Sequence, residues 1–158
     1  LERERVFVDT NIFVYAATRS HVQGGEVAAL QAGSQAVIQA LADGHLIGVT
    51  SLTVLQEILY LLTRWARQRD EPGLHDTGRQ IVRSAVSLVE ETLAPTVLEF
   101  ARAVEGYGPG KDFNDLMIVE TMRARGITTI ITTDHGFETL GVARLDPRDW
   151  HWGRAGKG

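Results

Sequence analysis

A chain of 158 residues has the size of one domain and buries roughly two-thirds of its unfolded surface. Hydrophobic residues make up 44% and charged residues 23%, which excludes a disordered tail, a collagenous repeat and a coiled-coil rod. The balance of 16 Lys plus Arg against 20 Asp plus Glu does not advertise a nucleic-acid partner, and the lack of cysteine removes disulfide frameworks and thiolate metal sites.

Leu1–Arg5 is charged and leads straight into a β-type run. Neither a signal peptide nor a membrane span of roughly 20 apolar residues is expected, and a cytoplasmic location is the simplest expectation. Val6–Val8 reads as a strand ending at Asp9, with Thr10 and Asn11 opening a short helix over Ile12–Ala17. Residues 18–33 read as a loop or irregular helix, and Ser34–Ala42 as a helix stopped by Asp43-Gly44. Leu46–Val49 follows as a strand. Thr50 or Ser51 then caps a long helix to about Arg69, with Leu55, Ile58, Leu59, Leu62, Trp65 and Ala66 on one face. Asp76–Val86 predicts a helix, Ser87–Leu93 a third strand, and Thr96–Val104 a helix with Pro95 in its first turn. Asp112 caps a helix over Phe113–Arg125 that Gly126 closes. Ile127–Thr132 is a β-branched strand ending at Thr133-Asp134, and Val142–Leu145 a last edge strand. Strands alternating with helices predict one α/β domain over residues 1–158, with a mostly parallel sheet between helical layers.

The acids fall where such a sheet exposes ligands. Asp9 and Asp134 each follow a strand, and open α/β sheets bind beyond the carboxyl ends of their strands. Either one alone also reads as a turn or cap residue. Asp112 and Asp115 lie one turn apart at a helix start. Asp112 suits a cap, but Asp115 points toward the buried side near Val119 and Met122, where an unpaired carboxylate is costly. Glu57 borders the apolar stripe of its helix, with Arg64 two turns on as a stretched ion-pair partner. Gathered together, these acids form an all-oxygen ligand set suited to Mg2+ or Mn2+. Crowded carboxylates need such a cation, and the chemistry it serves is metal-assisted phosphodiester hydrolysis.

The ordered motifs Phe7-Val8-Asp9-Thr10-Asn11, Glu57 in a Leu-rich helix, Phe113-Asn114-Asp115-Leu116-Met117-Ile118 and Ile131-Thr132-Thr133-Asp134 resemble the PIN domain family over about residues 5–147. The resemblance implies a three-layer α/β/α nuclease. Asp9, Glu57, Asp115 and Asp134 would be its catalytic acids and metal ligands, and Asp112 an accessory ligand. Thr10, Asn11 and Thr133 would orient water or phosphate. A small PIN protein is most similar to the toxin of a VapBC toxin–antitoxin pair. That implies cleavage of RNA (a transfer RNA or a ribosomal RNA loop), a homodimer, and a small antitoxin partner. Extra length at residues 18–33 and 66–80 departs from the smallest such toxins.

Arg19, Lys111, Arg123 and Arg125 are candidate phosphate contacts, and Tyr15, Trp65 and Tyr107 candidate base-stacking rings, each with a bland surface or core alternative. A haloacid-dehalogenase-like site would want an acid where Asn11 stands, and a P-loop fails because Glu105 replaces its first glycine. The five histidines, His21, His45, His75, His135 and His151, are scattered, with His135 beside Asp134. The alternative to an enzyme is a catalytically silent PIN-type module that binds RNA or protein.

Overall fold

The computed structural model describes residues 4–18 and 25–149. Five strands, β1 (Arg5–Val8), β2 (Ile47–Ser51), β3 (Glu91–Leu93), β4 (Thr129–Ile131) and β5 (Ala143–Leu145), form one sheet in the order β3-β2-β1-β4-β5. Every neighbouring pair is parallel, so the expected mostly parallel sheet is parallel throughout. β1 is the central strand, with Phe7 beside Val49 on one side and Ile130 on the other. Its residues Val6, Phe7 and Val8 are buried, as a strand covered on both faces requires.

Among the described residues six α-helices connect the strands: α1 (Thr10–Ala17), α2 (Gly25–Ala42), α3 (Leu52–Arg69), α4 (Leu74–Leu88), α5 (Val97–Gly106) and α6 (Phe113–Ala124). A 3-10 turn over His135–Leu140 lies between β4 and β5. The chain steps from β1 to β2 to β3 in one direction, then returns across the sheet to β4. Right-handed crossovers therefore put α1–α4 on one face and α5–α6 on the other; the helices pack mainly in those two groups, and α3 also meets α6. Phe7, Ile12, Ile58, Leu62, Ile118, Met122 and Ile130 belong to one continuous buried core. No helix among the described residues is long and apolar enough to cross a membrane.

Several boundaries depart from the sequence reading. α2 is regular from Gly25 rather than from Ser34, because Leu30 and Val37 anchor one buried stripe through its small residues; residues 19–24 lie outside the described residues. Thr96, not Pro95, starts α5: its hydroxyl accepts from the Glu99 N–H while the Glu99 carboxylate accepts from the Thr96 N–H. That reciprocal capping box leaves Pro95 outside the helix. β3 shrinks to Glu91–Leu93 because α4 runs on to Leu88, and β4 is only Thr129–Ile131. Ser51 caps α3 as expected, accepting from the Val54 N–H. Trp65 packs partly buried against the core as expected. Leu59, expected on the same face, is 41% exposed, because it lies one residue round the helix from the buried Ile58, at the edge of the stripe.

Candidate active site

The strand order places β1 beside β4, the point where the chain's direction of travel across the sheet reverses. Such a point opens a crevice at the carboxyl edge. Asp9 leaves β1 and Asp134 follows β4 across this crevice, and the Asp9 N–H donates to Ile131 O at 3.1 Å. α3 starts directly from the end of β2 and carries Glu57 inward in its second turn. α6 leads back into β4, so its N-terminal turn, with Asp112 and Asp115, returns to the same edge.

Asp9 is 5% exposed. Its Oδ1 accepts from the Thr10 N–H at 2.7 Å, and its Oδ2 from the Thr132 hydroxyl at 2.7 Å and the Asn11 amide at 3.4 Å. Thr10 donates its hydroxyl to Glu57 Oε2 at 3.1 Å. Asn11 also donates to Thr132 Oγ at 3.2 Å and accepts from the Thr133 N–H at 3.2 Å. Thr132 in turn accepts from the Asp134 N–H at 3.0 Å. One network therefore runs from Glu57 through Thr10 and Asp9 to Thr132 and Asp134. Thr132 is fully buried and is the member the sequence reading missed. Its β-branched side chain was absorbed into the strand pattern, although a hydroxyl at a strand end, two residues before an acid, is a readable signal.

Burial is the first cause of the electrostatics. It lifts the Asp9 carboxyl to about 6, with the charges of Asp134 and Asp112 adding to the rise and the Thr132 and Thr10 hydrogen bonds opposing it. Asp115, half-buried, rises to about 7 through burial and then the charges of Asp112, Asp134 and Asp9. Glu57 rises to about 8 through burial and then the charge of Asp9, with Asp115 and Asp112 adding to it. Each of the five predicted acids thus stands within electrostatic reach of at least two of the others. Arg64 forms no ion pair with Glu57; instead Glu57 Oε1 is buried without a hydrogen-bond partner.

Asp112 and Asp134 are exposed and both cap. Asp112 Oδ1 accepts from the Asn114 and Asp115 N–H groups at 2.8 and 3.2 Å, and Asp134 Oδ1 from the Gly136 N–H at 2.8 Å. Among the described residues, no group of three or more acids and histidines closes into a preassembled coordination shell. An orphaned buried carboxylate oxygen, three carboxyls raised by burial and mutual repulsion, and an all-oxygen donor set together fit a hard divalent cation.

The remaining candidates scatter. Arg123 pairs with Glu120 and donates to Leu140 O, and Arg125 sits 3.8 Å from Glu91. Lys111 is exposed. Tyr107 packs edge-on against Phe113. His135 is exposed and contacts Glu138 at 3.3 Å. Arg19, His21 and His151 lie outside the described residues.

A parallel α/β sheet with acids gathered at its switch point defines a class of carboxylate-site protein. The PIN domain family model matches residues 6–143, and the chain belongs to that family. Among solved structures, it is similar to Mycobacterium tuberculosis VapC20, described as a sarcin-ricin loop cleaving toxin. That match has a TM-score of 0.62 at 21% identity and covers 89% of this chain and 98% of that one. VapBC2 from Rickettsia felis, bound to a DNA fragment from its promoter, gives a TM-score of 0.58 at 17% identity over 89% and 97% of the two chains. FitAcB from Neisseria gonorrhoeae gives 0.59 at 17% over 92% and 99%. These likenesses establish the α/β/α fold. No curated protein matches the chain.

Proposed function

We propose that this chain is a Mg2+- or Mn2+-dependent endoribonuclease of the VapC toxin type. The observation that carries the reading is the convergence of Asp9, Glu57 and Asp115 on one crevice, where each carboxyl is raised by burial and by its neighbours. A protein gains nothing in stability from such crowding. Asp9, Glu57, Asp115 and Asp134 would hold the cation, with Asp112 as an accessory ligand. When bound, the cation supplies Lewis-acid stabilisation of phosphate charge and a more acidic water.

The chain's own residues set the geometry. Thr132 and Asn11 fix Asp9 Oδ2, and Thr10 fixes one oxygen of Glu57 and leaves the other free for a ligand. The caps on Asp112 and Asp134 engage only Oδ1 among the described residues, so the second oxygen of each remains able to face a cation or a bound water.

The likeness to VapBC2, solved on a DNA fragment from its promoter, supports a small antitoxin partner. The likeness to VapC20, described as a sarcin-ricin loop cleaving toxin, supports a ribosomal RNA substrate, with transfer RNA as the other candidate. A cytoplasmic location and a single nuclease domain go with that reading. The test is cleavage of labelled transfer RNA and ribosomal RNA fragments. Cleavage should appear with Mg2+ or Mn2+ and stop with EDTA. Intact RNA together with no metal binding would favour the silent binding module.

A further inference from the structure

Resting on the ribonuclease reading, we propose that the cleft between α1 and α3 is a nucleobase subsite. In it Trp65 stacks on the base of a nucleotide adjacent to the cleaved bond in single-stranded RNA. The cleft has a volume of about 480 Å3 and is lined by Asn11, Val14, Tyr15, Leu61, Trp65 and Arg69, among others. That is the size of a small-ligand pocket.

Its walls lead directly out of the carboxylate crevice. Asn11, Val14, Tyr15 and Thr18 recur on one face of α1, and Asn11 itself holds Asp9 and the Thr133 N–H. On α3, Leu61, Trp65 and Arg69 continue at four-residue spacing from Glu57, a ladder that stays on neighbouring turns of one side. Trp65 stands about 12 Å along the axis from Glu57 at about 1.5 Å per residue. A phosphate at the carboxylates therefore brings a neighbouring nucleotide, not its own, to the indole.

The chemistry of this end suits a nucleotide. The Arg69 guanidinium lies 4.7 Å over the Trp65 ring, a planar cation–aromatic platform of the type on which unpaired bases stack. Glu57 is the only acid in α3, whereas Arg64, Arg67 and Arg69 all fall in its second half and are exposed. None of the three enters an ion pair among the described residues. Arg69 lines the cleft with Glu71 at its far end, and in a chain of net charge −4 Arg64 and Arg67 extend a local cationic stretch beside it. The apolar walls Val14 and Leu61 accept a base, and the cations accept its flanking phosphates.

The test uses Asp115→Asn protein with Trp150→Phe and Trp152→Phe, which leaves Trp65 as the only one of the three tryptophans. A fluorescein-labelled single-stranded oligoribonucleotide of mixed sequence is titrated in Mg2+. Anisotropy reads binding and indole emission reads stacking. Trp65 emission should be quenched in step with binding. In the Asp115→Asn protein, adding Trp65→Ala should weaken binding roughly five- to a hundredfold, the range for losing one base–aromatic stack, and Trp65→Phe should recover most of it. If Trp65→Ala does not fold, the quench in the Trp65 protein decides alone. RNA binding without quench, or with unchanged affinity in a folded Trp65→Ala protein, overturns the subsite and leaves the nuclease reading intact; a protein segment would then be the cleft's occupant. No RNA binding at all also overturns the subsite. Cleavage by the unsubstituted protein then decides separately whether the nuclease reading falls with it.

Discussion

Asp9 caps α1 with one carboxylate oxygen and accepts from Thr132 and Asn11 with the other, so the cap reading of this residue is right and sits beside the ligand role proposed for it. The same holds for Asp112 and Asp134, whose caps use Oδ1. Sequence spacing located these residues but could not rank the two roles, because a cap and a ligand need the same residue type at a strand end or helix start. Glu57 is different: Arg64 was a plausible partner two turns away, and only the structure leaves Oε1 orphaned. Thr132 was hard to single out as a functional residue because its β-branched side chain satisfies a strand pattern equally well, and only its place two residues before Asp134 hinted otherwise. Replacing it with Val keeps the shape but removes the donor to Asp9 and the acceptor for Asn11 and Asp134. Thr132→Val should cost about 1–3 kcal/mol, read by urea denaturation, and should lower RNA cleavage at least roughly tenfold. Unchanged cleavage would remove Thr132 from the site.

The raised carboxyls also set a pH dependence. The folded chain holds protons on Asp9, Asp115 and Glu57 up to about 6, 7 and 8, whereas the unfolded chain releases them near its ordinary carboxylate values. The native state therefore binds more protons across this window, and stability falls as pH rises through it. In EDTA, the thermal midpoint should drop between about pH 4 and about pH 8 through these groups. Asp115→Asn should flatten the drop and raise the midpoint at the alkaline end, and added Mn2+ should do the same for the unsubstituted protein. An identical slope in the variant would show that Asp115 ionises freely.

At the scale of elements, α3 and α6 were legible because each combines a side-chain cap with buried apolar positions at helical spacing. α2 was legible only in its second half. Its first half is Gly25-Glu26-Val27-Ala28-Ala29, with no side-chain cap to announce a start and only Leu30 to show a buried face. Gly33 has a reason that sequence could not supply. A Cβ there would meet the carbonyl oxygen of Pro147 at 2.5 Å, so α2 and the chain after β5 touch backbone to backbone. That segment is held in place by Asp146, which accepts from Arg144 Nη1 at 3.2 Å and Arg148 Nη2 at 2.7 Å. In an open helix, Gly→Ala stabilises by up to about 1 kcal/mol. Gly33→Ala should instead destabilise by about 1–3 kcal/mol through overpacking, seen as a lower urea midpoint at unchanged slope. A stabilised variant would mean that the two segments separate freely.

For the molecule as a whole, parallel topology accounts for most of what the sequence revealed. Strand–helix alternation fixes the direction of every strand, direction fixes which end carries the acids, and the reversal beside β1 fixes where they meet. An acidic total charge obscured the cationic end of α3, since composition averages over the surface. Oligomeric state is a property of this scale too. α5 and its C-cap Tyr107 expose Val97, Phe100, Val104 and Tyr107, at 85, 51, 48 and 62%, at helical spacing, an apolar stripe of the kind that monomers rarely leave uncovered. Light scattering should find a homodimer, and Phe100→Glu should shift it to monomer; a monomer at all working concentrations would contradict the expectation.

The central claim is that the crevice acids hold the cation that cleaves RNA. Its most direct test is the cleavage rate of labelled transfer and ribosomal RNA in Mn2+ by the unsubstituted protein and by Asp115→Asn, with the thermal midpoint of each measured alongside. The account predicts cleavage by the first and a loss of at least roughly a thousandfold in the second, about 4 kcal/mol of transition-state stabilisation, in a variant that folds as stably or more so. Equal cleavage by a folded Asp115→Asn protein would contradict it.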